Sequence, residues 1–182
     1  MEAPEVPLEH SQDHINEHAR ESEERWIMGV AVSTAILAAV AAIASLLAGM
    51  HINEGMIAQI RASDQWAFYQ AKGIKAGVLQ TKIDLLKAEG KEPTAQDLSK
   101  LEEYGSNKEE LSREATDLQN ESKAHIARHE RLAASVTFFQ IAIAISAISV
   151  LMKRRMFWFI GLGFGALGIA FLILAHLPVL AG

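Results

Sequence analysis

Three long apolar runs, Ile27 to Gly49, Ala133 to Met152 and Met156 to Leu180, limit what this chain can fold into. Each is long enough to cross the hydrocarbon of a bilayer, where about 20 apolar residues suffice. Inside lipid every backbone N–H and C=O must find its partner within the protein, and a single apolar segment can do so only as a helix. The expected fold is therefore all-α: three transmembrane helices, with a long extramembrane antiparallel helical hairpin between the first and second spans. The divisions that follow are 1–25, an acidic N-terminal segment with histidines; 26–49, span one; 50–132, the hairpin; 133–152, span two; 153–155, a basic link; and 156–180, span three.

Charge narrows the function classes. Residues 1–25 hold eight acids against Arg20 and Arg25, the segment after span one is nearly balanced, and the link is Lys153-Arg154-Arg155 with no acid. No dense basic surface exists for nucleic acid to bind. The acidic flank and the length of the first run argue for an uncleaved span rather than a signal peptide. Lys and Arg near the span ends are evenly divided, and the undiluted link decides the orientation: link and N-terminus cytoplasmic, hairpin extracytoplasmic. With no cysteine in the chain, thiol catalysis and cysteine-held metals are excluded.

The spans are rich in packing signals. Small residues recur at four-residue spacing in the first, on the lines Ala31, Ala35, Ala39 and Ala41, Ser45, Gly49. Gly161 and Gly165 form a similar pair in the third, and such residues let helix backbones approach closely, here as expected oligomer contacts. Gln140 is an amide within hydrocarbon and should face another helix. Trp26 and Trp158 stand where an aromatic belt is expected.

Between spans one and two, apolar residues recur at threes and fours from Met56 to Leu86, Gly90 and Pro93 stop the helix, and Thr94 with Asp97 forms a capping box for the next. Gly105, Ser106 and Asn107 are expected to interrupt that second helix, whose stripe runs from Leu98 to Ile126. Trp66, Phe68, Tyr69, Lys72 and Gly73 crowd more than one helix face, so part of this group should meet a third helix, a neighbouring subunit or a ligand.

His10, His14 and His18 repeat at four-residue spacing, which on a helix would offer one face to a transition metal; a solvated acidic tail is the simpler reading. His51, His125 and His129 flank spans one and two and should lie near one membrane face, where a pH response or a shared metal site is the expectation that follows. There is no H-E-x-x-H, no nucleophile triad that the sequence can bring together and no glycine-rich phosphate loop, so no catalytic residue and no cofactor is expected.

The opening EAPEVPLEH, the small-residue first span, the segment DQWAFYQAKGIK and the KRRMFW that introduces the last span together resemble a bacterial family of small membrane proteins known only as a domain of unknown function. The resemblance implies an inner-membrane setting and no catalytic residue. The resulting expectation is a homo-oligomeric membrane scaffold or interaction protein in contact with lipid and with a partner of unidentified kind; a subunit of a channel or transport assembly is the alternative.

Overall fold

A computed structural model describes residues 25–177, which form three helices: α1, Arg25–Ala88; α2, Ala95–Leu151; and α3, Arg155–His176. Each contains a stretch long and apolar enough to cross a membrane. The chain is an all-helical, multi-span membrane protein.

The expected hairpin as a separate element between spans one and two is not present. Among the described residues there are three helices in total, because α1 passes from its apolar stretch into the polar one without a break and α2 does the reverse. The physical reason is the absence of any stop signal at either junction. Residues 45–60 contain no proline, and an isolated glycine such as Gly49 or Gly55 costs a helix only about 1 kcal/mol. The interruption expected at Gly105 to Asn107 is also absent; α2 continues through it.

Where signals do exist, the chain turns. Gly90 adopts φ 74°, a left-handed conformation that suits glycine, and closes α1 with two hydrogen bonds, Gly90 N–H to Lys87 C=O at 3.0 Å and Lys91 N–H to Leu86 C=O at 2.8 Å. The capping box then starts α2: the Asp97 N–H donates to Thr94 Oγ1 at 3.1 Å, and the Thr94 hydroxyl donates to Asp97 Oδ2 at 2.8 Å. The link between α2 and α3 uses the same closing pattern, Lys153 N–H to Val150 C=O at 3.1 Å and Arg154 N–H to Ser149 C=O at 3.0 Å. Here the left-handed position, φ 51°, is held by Lys153.

Two compact units divide the chain: one comprises the residues up to Ile52 and from Ile126 onward, the other Asn53–His125. In the first, Phe139 is fully buried with Leu37, Ala41, Ala142 and Ile143, and Phe164 packs against this cluster. The approach of α3 to α2 depends on missing side chains. A Cβ at Gly161 would stand 2.6 Å from Ser146 Oγ and 2.9 Å from the Ala142 carbonyl oxygen, and one at Gly168 would stand 2.6 Å from the Phe139 ring. Ser135 Oγ donates to the Gly168 carbonyl at 2.9 Å across this contact. On the first span, Ala31 and Ala41 are buried, whereas Ala35, Ala39, Ser45 and Gly49 are exposed. A line of four-residue steps drifts around a 3.6-residue helix, so each line leaves the contact after one residue.

Candidate interaction surface

Within the second unit, α1 and α2 lie antiparallel, and the covered positions alternate by threes and fours. On α1 they are Gly55, Ala58, Ala62, Gln65, Tyr69, Lys72, Ala76, Leu79, Ile83 and Leu86; on α2, Asp97, Leu101, Tyr104, Lys108, Leu111, Ala115, Leu118, Ser122 and His125. That spacing holds two helices in contact over a long distance. Reading apolar stripes alone recovers it only in part, because the seam contains Gln65, Lys72, Asp97, Lys108, Ser122 and His125.

Each polar seam residue except Gln65 has a partner. Ser122 Oγ donates to the Gly55 carbonyl at 2.8 Å, His125 Nδ1 is 3.0 Å from Glu54 Oε2, and Lys82 Nζ lies 2.8 and 2.9 Å from the two oxygens of Asp97. The hydrogen bonds from Lys82 and Thr94, together with the Lys82 charge, hold the Asp97 carboxyl below its ordinary range. Gln65 Oε1 is buried with no hydrogen-bond partner among the described residues.

The aromatic group interlocks with the lysines. Trp66 and Tyr69 meet edge to face at 5.3 Å, Lys108 Nζ stands 4.7 Å over the Tyr69 ring, and Lys72 Nζ stands 5.0 Å over Tyr104. Lys72 also reaches Glu103 at 3.9 Å. Gly73 faces Lys108, and a Cβ there would make ordinary contact with the lysine, 3.6 Å from its ammonium. Phe68 differs from its neighbours: it points outward and is 60 % exposed. Beside Tyr69 and Lys108 an open groove of mixed charge is lined by Ser112, Arg113, Thr116 and Asp117.

The remaining expected site residues are placed as follows. Gly161 faces Ser146 and Ala142, and Gly165 faces Leu37, so both pack within the chain. Gln140 lies partly buried on α2 within the first unit. His129 Nδ1 is 2.9 Å from the Ala48 carbonyl oxygen. His10, His14 and His18 lie outside the described residues.

The most extensive feature is on the face of α1 turned away from α2. Met56, Ile57, Ile60, Phe68, Ile74, Val78 and Leu85 are all exposed, each by half or more. Surface apolar residues occur singly on any protein, but a continuous line of them marks an interaction site.

In comparison with known protein families, residues 26–178 match the family described as Domain of unknown function (DUF4337). No curated protein and no solved structure matches the chain.

Proposed function

The chain belongs to this DUF4337 family, and from that premise we propose that it is a homo-oligomeric membrane scaffold of the bacterial inner membrane, with the Lys153-Arg154-Arg155 link and the N-terminus on the cytoplasmic side. The observation that carries the reading is the line of exposed apolar side chains on residues 53–88 of α1, which the described residues leave uncovered. Burying such side chains contributes roughly 1.5–3 kcal/mol each, so a surface of this kind is stable in water only when something covers it.

The polar residues of the spans favour a scaffold over a transport pathway. Thr34, Ser146 and Ser149 are buried and donate to carbonyls of their own helices, and Ser135 donates to Gly168. A permeation path needs such groups turned toward water.

The test is the mass of the untagged full-length protein in lipid nanodiscs or native-like detergent. A defined multiple of the chain mass is expected. A monomer at every concentration and in every lipid would refute the reading.

A further inference from the structure

The outward face of α1 in the second unit is more ordered than a scatter of apolar residues. Its positions are Ile57, Ile60, Asp64, Ala67, Ala71, Ile74, Val78, Thr81 and Leu85, and their spacing alternates three, four, three, four without a slip. All nine are exposed. The seam against α2 has the same alternation two residues out of phase, so this length of α1 carries two contact lines on opposite sides. One is filled by α2.

We propose that the second line, Ile57 to Leu85, is the contact through which α1 pairs in parallel and in register with α1 of a second copy of this chain. The proposal rests on the scaffold reading above and names its interface.

Three observations select this occupant. The first is period: a 3.5-residue repeat keeps one face toward a partner only when that partner is itself a long helix running beside it, as in a coiled coil. A lipid surface or a small ligand would not require it. The second is area: the open parts of the five large apolar residues on the line, Ile57, Ile60, Ile74, Val78 and Leu85, amount to on the order of 600 Å² per copy, close to the roughly 800 Å² per partner that a stable complex covers. Anchoring in one membrane raises the effective concentration and lowers what the contact itself must supply.

The third is charge. Flanking the line on one side are Arg61, Phe68, Lys75 and Lys82, and on the other Met56, Ser63, Gln70, Gly77 and Asp84. An antiparallel pair would set each flank against its own kind, bringing Arg61 against Lys75 or Lys82 of the other copy, according to the register. A parallel pair sets the basic flank against the neutral one, Arg61 beside Met56, Lys75 beside Gln70 and Lys82 beside Gly77. It leaves two like-charge meetings, Asp84 with Glu89 at the fraying end of the helix and Asp64 with the Asp64 of the other copy on the line itself. Copies inserted the same way in one membrane share the direction of every segment that runs along its normal. Asp64, the one charged residue on the line, costs the pair stability, as polar positions at the seam of a coiled coil do.

The chain has no cysteine, so single cysteines report contacts without background. Ile60→Cys, Ile74→Cys and Val78→Cys, each in the full-length protein in lipid vesicles under mild oxidation, should form disulfide dimers at least tenfold faster than Glu114→Cys on the exposed side of α2. The double variant Ile74→Glu/Val78→Glu should abolish the Ile60→Cys cross-link while helix content is retained. Equal cross-linking at Glu114→Cys would overturn the proposal. So would protection of the line's cysteines from aqueous but not lipid-soluble thiol reagents, which would make lipid the occupant. Cross-linking of Ile57→Cys to Leu85→Cys in a mixture of the two would overturn the parallel arrangement. An oligomer by mass that gives no cross-link along the line would refute this interface and leave the scaffold reading standing, whereas a monomer would remove both.

Discussion

At the scale of single residues, the closest fits depend on what is absent or strained. Gly161 lies against backbone as well as a side chain, and a carbonyl 2.9 Å from the would-be Cβ cannot rotate away. Gly161→Leu is therefore expected to destabilise the first unit by about 2–4 kcal/mol through overpacking, read as earlier unfolding in a detergent titration. Lys153 is the opposite case, a residue that carries a Cβ and is held at φ 51°. Lys153→Gly should stabilise the α2–α3 link by about 1 kcal/mol, the usual cost of the left-handed conformation for an L-residue, in the same titration. Asp97 has its carboxyl held low chiefly by the Lys82 hydrogen bond. Its contribution is present at neutral pH and is lost as pH falls through the depressed folded value. Asp97→Asn should remove that acid-side loss, so the stability of the variant should fall less steeply below pH 4 than that of the parent.

At the scale of elements, the sequence shows starts and stops well and continuity poorly. The Gly90 and Thr94–Asp97 signals lie where the structure turns, because each satisfies backbone groups locally and needs no distant partner. Gly105-Ser106-Asn107 has the composition of a loop, yet α2 runs through it, since Tyr104 and Lys108 on either side are held by Lys72 and Tyr69 of α1. Those contacts join residues far apart in sequence and leave no trace in a local pattern. The seam was legible only in part: on α2 the apolar stripe already contains Leu101, Tyr104, Leu111, Ala115 and Leu118, whereas on α1 positions such as Gln65 and Lys72 hide the heptad from any reading that looks for apolar residues. The pairing of His125 with Glu54 is likewise a product of the antiparallel register alone. Continuity of α1 is itself testable. Asn53→Pro removes one backbone hydrogen bond and clashes with the preceding turn, and should cost about 3 kcal/mol or more, with a bend detectable between spin labels placed at Met50 and Gln59.

At the scale of the whole molecule, three apolar stretches define a multi-span protein, and their lengths alone made that readable. What the second unit does was not readable, because its surface combines one face satisfied by α2 with another that the described residues leave open. Three glycines of the last span, Gly161, Gly165 and Gly168, behave as internal packing, each facing neighbours from the same chain. A proposed assembly of copies has to draw on surfaces other than those three glycines. If α1 is the pairing helix, the mass of the assembly should respond to substitutions between Ile57 and Leu85 and not to Gly165→Ala, whose added methyl meets the end of Leu37 and, at 3.9 Å, Ala142 of the same chain.

Within the second unit α1 runs without a break to Ala88, so the azimuths of its side chains are locked to one another. Deleting one residue near Ala67 would swing every side chain beyond it through about 100° relative to Ile57 and Ile60, aiming Ile74 and Val78 somewhere new while leaving helicity intact. Four residues removed together would nearly restore the heading. Phase, more than the identity of any one side chain, is what such a helix must preserve.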